Sequence, residues 1–245
     1  MQRQRQRRIK LNKLPVLYRR RFCRDSIKVI NELSMKEFEW VAQGYGIPMV
    51  QLDGFCCAVV KERLYKRCIF KGSVVDWGRN PCDSSDILCL DRRMMDWQYR
   101  YWCLAERYRV GERYLWEAYD RLSYLNDGHV KDGTYELLGF SANKIAQDSG
   151  RRLFKNGAYS NPYGLTSHVL VKHDMLKINN LRGRDFDSIR EYLESNYIKG
   201  IVFWLNGEPK CKIRRRDFGL SWGEPTRRRE ARMAILNILL NKLGG

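Results

Sequence analysis

Four short segments carry the side chains best placed to act on phosphate. They are VQLDG at 50–54 with Gln51, Asp53 and Gly54; YELLG at 135–139 with Glu136; IKGIV at 198–202 with Lys199; and KCKIR at 210–214 with Lys212. Read singly, each is an ordinary strand. Asp53-Gly54 is then a turn and Glu136 a solvated strand residue. Lys212, Arg214, Arg215 and Arg216 are then an exposed basic strand. Metal chemistry by thiolate and imidazole is poorly supported. The eight cysteines form no CxxC pair, and the three histidines, His129, His168 and His173, lie far from any pair of them. Cys56 and Cys57 are adjacent, so on a strand they face opposite sides. A disulfide scaffold would be unusual at this length, and the thiols read as those of an intracellular, reducing compartment. Cytoplasm, nucleus and organelle are not distinguished.

Charge narrows the class of partner. The 245 residues carry a formal net charge of +18, with 44% hydrophobic and 12% aromatic residues. Such a chain can bury a core, and an acidic partner surface, nucleic acid first, is the economical reading of its charge. No apolar run approaches the ~20 residues a membrane span needs, so no membrane partner is expected. The N-terminus lacks the apolar stretch of a secretory signal, whereas an Arg-rich organellar presequence would look much like it. Arg3, Arg5, Arg7 and Arg8 make residues 1–22 a basic arm suited to RNA phosphates. Arg214, Arg215 and Arg216 form a second basic patch.

The elements that position these residues follow from local pattern. Apolar runs on either side of Asp53-Gly54 predict two strands joined by a tight turn or bend. Another strand is expected over 63–70, and residues 72–100 read as irregular. Leu115, Ala118, Tyr119, Leu122 and Leu125 fall on one face of a helix over 112–125. Short strands are expected at 134–139 and 168–171, with a loop-rich insertion at 140–160. Asp185 or Asp187 caps a helix carrying Phe186, Ile189, Tyr192 and Leu193. Asn206-Gly207 turns a hairpin between strands at 200–204 and 210–214. A basic, then apolar helix closes the chain from 227 to 243. The class is α+β, with a basic arm at 1–22, one domain at 23–225 and an amphipathic helix at 226–245.

In this order and spacing the four segments resemble the motifs of the covalent nucleotidyltransferases, the superfamily of ligases and capping enzymes. Their first motif is K-x-D-G, the third places a Glu on a strand, the fourth reads E-G-x-V and the fifth K-x-K. More closely, the chain resembles the small ATP-dependent 5′-to-3′ RNA ligases of vertebrates, bacteria and phages. QLDGFCC at 51–57 matches their K-V-D-G-T-C-C, YELLG matches Y-E-L-I-G, NPYGL at 161–165 matches N-P-x-G-L, and 198–222 ends in a G-L-x-W run as theirs does.

The resemblance implies a ligase-type fold, an antiparallel β core with flanking helices. It also implies ATP and Mg2+ as cofactors and RNA ends as substrate. It assigns nucleotide contacts to Asp53, Gly54, Arg67, Glu136, Asn161 and Lys212, with Glu136 as a magnesium ligand and Tyr163 beside the nucleotide. In that family a lysine attacks the α-phosphate of ATP, AMP passes to a 5′-phosphate, and a 3′-hydroxyl displaces it.

Here the lysine position is Gln51, whose delocalised amide lone pair cannot hold AMP, and the motif-four acid is Lys199. Three readings follow. The first is an RNA ligase-like protein that no longer charges itself but seals ends already adenylated. The second is an inactive RNA-binding subunit of a ribonucleoprotein. The third is a relocated nucleophile at Lys199.

Overall fold

The computed structural model describes residues 14–23, 26–71, 87–93, 98–109, 112–139, 163, 165, 167–227 and 229–235. Arg3, Arg5, Arg7, Arg8, Asn161, the insertion at 140–160 and the end of the C-terminal helix lie outside them. In chain order the strands are β1 (Tyr18–Cys23), β2 (Ser26–Leu33), β3 (Ile47–Val50), β4 (Phe55–Val60), β5 (Arg63–Lys71) and β6 (Ile87–Arg93). There follow β7 (Gln98–Leu104), β8 (Gly133–Leu138), β9 (Val169–Lys172), β10 (Gly200–Leu205) and β11 (Glu208–Arg214). The helices are α1 (Glu39–Ala42), α2 (Arg113–Tyr124) and α3 (Phe186–Ser195). Every strand pair is antiparallel, and with these helices the chain is α+β.

The chain forms two compact units. One holds the described residues of Gly54–Tyr159 and Thr166–Lys172; the other holds those of Lys13–Asp53, Ser160–Leu165 and His173–Gly245. The chain passes from one to the other at Asp53-Gly54, inside the first motif.

The first unit is a six-stranded sheet in the order β6-β7-β5-β4-β8-β9. The period of two along β4 sorts its residues. Phe55, Cys57 and Val59 pack with Leu64, Tyr135, Leu137 and Leu170 beneath Leu115 and Ala118 of α2. Cys56 and Ala58 join Tyr65 and Trp102 in a separate cluster, so the two adjacent cysteines do face opposite ways. Buried Lys66 pairs with buried Glu112 just ahead of α2, and Glu112 also accepts from the Glu106 N–H at 2.6 Å. Strands β6 and β7 occupy the stretch expected to be irregular. Cys103 on β7 is disulfide-bonded, which the thiol reading did not foresee, whereas Cys56, Cys57, Cys68 and Cys211 are free and buried.

The second unit holds the three-stranded sheet β11-β10-β3 and the two-stranded ribbon β1-β2. Helix α3 starts where the Asp185 carboxylate accepts from the N–H groups of Asp187 and Ser188, which resolves the choice of cap. It buries Ile189, Tyr192 and Leu193. Asn206 and Gly207 both take positive φ, 54° and 74°, as a two-residue hairpin turn requires. The rings of Tyr18, Phe186 and Phe218 meet edge to face. Residues 18–22, expected within a basic arm, are therefore largely β1, tied to the body by Tyr18. Residues 229–235 are helical.

Candidate functional site

In the second unit, Gln51 follows β3 and its N–H donates to the Gly200 carbonyl at 2.8 Å. This bond continues the β3–β10 ladder and sets Gln51 beside the strand end that carries Lys199. The Lys199 carbonyl in turn accepts from the Arg215 N–H at 3.0 Å. The side-chain oxygen of Gln51 is buried and has no hydrogen-bond partner among the described residues.

Asp53 is the centre of the cluster. Lys199 Nζ lies 2.5 Å from its Oδ1, and Trp222 Nε1 donates to its Oδ2 at 2.7 Å. Its backbone N–H donates to the Tyr163 hydroxyl at 2.9 Å. The Trp222 ring is near those of Tyr163 and Tyr197, with centroids 6.2 Å and 5.1 Å away. Tyr197 is faced by the guanidiniums of Arg227 at 4.0 Å and Arg215 at 4.8 Å. The arrangement is one carboxylate, held by an ammonium and an indole N–H, backed by aromatic rings.

Two of the expected RNA-contacting arginines face inward. Arg214 and Arg215 are 8% and 3% exposed. Arg214 grips Asp217 through two nitrogens, at 2.9 Å and 2.8 Å. Arg215 donates to the carbonyls of Ser221, Leu193 and Asn196. Their donors are spent inside the fold, so the exposed basic strand expected here is reduced to Arg216, which is exposed and within electrostatic reach of Asp53. Burial pushes the Asp217 carboxyl up, but Arg214 and Arg20 outweigh it and hold the group below the usual carboxylate value. Lys212 is half-buried on β11, with its backbone bonded to Pro15 and Leu17.

In the first unit, Glu136 on β8 stands opposite Cys56 on β4 and is 8% exposed. Its Oε1 accepts from the Gly54 N–H at 2.9 Å. A Cβ on Gly54 would meet the Leu137 carbonyl at 2.1 Å, so only glycine lets the backbone pass here. Arg67 on β5 is half-buried, and its Nε has no partner among the described residues. Burial raises the Cys57 thiol well above its ordinary value, and Cys56 and Glu136 add to the effect.

The structure thus brings Asp53 to Lys199, Gln51 to the start of β10, and Gly54 to Glu136. It adds Trp222 and Tyr197, which the sequence reading did not nominate. Trp222 ends the G-L-x-W run, and that position was its only signal.

Among the described residues no helix is long and apolar enough to cross a membrane. No protein-family model matches the chain. It is similar to RNA ligase 1 of Pongo abelii, 32% identical over 90 residues, which is 34% of this chain and 28% of that protein. The match therefore spans little more than a quarter of that ligase. The likeness that the geometry can be set beside is to an RNA ligase.

Proposed function

We propose that the chain is an RNA ligase-like protein of the nucleotidyltransferase fold that acts on RNA ends and no longer adenylates itself. The observation that carries this reading is the Lys199–Asp53 ion pair beside Gln51. A ligase of this type needs an amine at position 51 and a carboxylate at 199. This chain has a carboxamide and an amine instead, and the amine is engaged by Asp53.

The donor set also bears on the cofactors. Mg2+ is held by carboxylates and phosphate oxygens in near-octahedral geometry. Both Asp53 oxygens already have donors, Lys199 and Trp222, and an ammonium at 2.5 Å repels a cation. Asp53 therefore does not fit a magnesium ligand. The buried Gln51 oxygen does fit a ligand that brings a hydrogen-bond donor.

The step left open to the chain is sealing of a 5′-adenylated RNA end. The 3′-hydroxyl oxygen attacks the RNA 5′-phosphorus, the bond to AMP breaks, the hydroxyl proton is lost and AMP leaves. Lysyl-AMP has no part in it. Lys212 and Arg216 supply positive charge for the phosphates.

Incubation with α-labelled ATP and Mg2+ tests the reading, beside a variant carrying Gln51→Lys and Lys199→Glu. The expected result is no acid-stable protein adduct on the native chain, label on the variant, and ATP-independent joining of a pre-adenylated donor by the native chain. Label on the native chain would overturn it, and mapping the adduct would show whether Lys199 is the acceptor. No joining by either protein, with RNA still bound, would favour the ribonucleoprotein subunit.

A further inference from the structure

We propose that the β1-β2 ribbon is a docking surface for single-stranded RNA, with Phe22 and Ile27 as its apolar platform and Arg21 and Lys28 as its phosphate contacts. In the ribbon's register Phe22 lies directly opposite Ile27, Arg21 opposite Lys28 and Arg20 opposite Val29. Alternation puts Phe22, Ile27, Arg20 and Val29 on one face and Arg21 with Lys28 on the other. On the first face, Val29 is 7% exposed and Arg20 is tied to Asp217 at 2.8 Å. Phe22 and Ile27 continue the same face at 78% and 47% exposure. An aromatic ring left this bare suits base stacking, since every base offers a π-face, and the cations Arg21 and Lys28 lie across the ribbon's edge from it, one residue away on each strand.

The other face points to the same partner. Like charges directly opposed on a two-stranded ribbon weaken it. Arg21 and Lys28 are both exposed, and neither has an acidic partner among the described residues. Arg19, by contrast, is paired with Glu32 at 3.0 Å. A phosphate between Arg21 and Lys28 relieves the repulsion and gains two charge-assisted contacts. The ribbon is also braced for the task. Arg20 is anchored on Asp217, and the Lys28 stem lies where a Cβ on Gly219 would meet its Cε at 2.9 Å. The net charge of +18 favours a polyanion over an apolar protein surface. The choice of RNA over DNA rests on the ligase-like reading above.

The test is fluorescence anisotropy of a labelled single-stranded RNA oligonucleotide with the full chain across a salt series. Phe22→Ala is expected to weaken binding about tenfold, and Phe22→Trp to keep it. Arg21→Gln with Lys28→Gln should weaken binding and flatten the slope of log K against log salt by about 1.4. Phe22 is exposed, so these variants fold as the parent does, and unchanged circular dichroism and melting check it. The proposal is overturned if Phe22→Ala binds within about twofold of the parent, if the parent binds no RNA, or if sedimentation shows a dimer that Phe22→Ala dissolves. Joining of a pre-adenylated end, measured on the same proteins, keeps the two readings apart. No joining with Phe22-dependent binding removes the ligase reading and leaves the ribbon; joining with Phe22-independent binding removes the ribbon alone.

Discussion

Lys199 and Asp53, 146 residues apart in the chain, form an ion pair with Nζ 2.5 Å from Oδ1 and side chains 25% and 23% exposed. The pair is sheltered enough to couple. Lys199→Met and Asp53→Asn should each cost about 2 kcal/mol, and the double variant should cost little more than either alone. Urea unfolding of the four proteins measures the coupling, expected at about 1–2 kcal/mol; additive losses would mean the contact contributes nothing.

The orphaned oxygen of Gln51 carries a penalty. A buried acceptor without a donor costs about 1–3 kcal/mol, so Gln51→Met should raise the unfolding free energy by about 1 kcal/mol, seen as a higher urea midpoint with the m-value unchanged. Gln51→Lys should do the reverse, because it brings a second ammonium beside the strand end carrying Lys199. Adding Lys199→Glu should restore the midpoint. A stabilised Gln51→Lys would show that the two amines do not meet.

Glu112 holds a buried cation, Lys66, and the Glu106 N–H. Glu112→Gln keeps the acceptor for the N–H but leaves the ammonium uncompensated, and should cost about 3–5 kcal/mol. Adding Lys66→Met should recover most of that loss. A thermal melt that falls equally for the single and double variants would reject the pairing as the cause.

Asp217 makes stability depend on acid. Its folded-state value lies below the ordinary 3.8, so its contribution is complete above that value and is lost as pH falls through the lower folded one. Native stability should therefore drop as pH falls below about 4. Asp217→Asn should start lower at neutral pH, with Arg214 left buried, and show a shallower acid limb. Equal acid limbs in parent and variant would reject the assignment.

Features set by neighbours in the chain were legible before the structure. Asp185 as a cap, Asn206-Gly207 as a turn and the apolar stripe of α2 all depend on residues within a few positions. The misreadings share a different cause. Strand β6 and the ribbon strand β1 are rich in charge, β7 mixes Gln and Arg with aromatic residues, and none alternates cleanly, so only their pairing across the sheet defines them. Arg214 and Arg215 read as surface because a buried guanidinium needs partners, and those partners, Asp217 and the carbonyls of Leu193, Asn196 and Ser221, assemble only in the fold. Of the residues that the sequence singles out, Asp53 and Lys199 meet in one unit and Glu136 engages Gly54 in the other. That Asp53 would hold Lys199, and that Trp222 would hold Asp53, was not legible in the sequence.

The fit of Gly54 between Leu137 and Glu136 is a demand of the fold. Gly54 is required by a backbone carbonyl 2.1 Å from where its Cβ would be, and Glu136 is engaged by the Gly54 N–H. Neither constraint involves a nucleotide. A signature built on Asp-Gly and the strand glutamate therefore reports a constraint of the backbone and not a bound nucleotide. A search by that signature gathers chains such as this one, with a carboxamide at position 51 and an amine at 199, unless it also asks which side chains stand at those two positions.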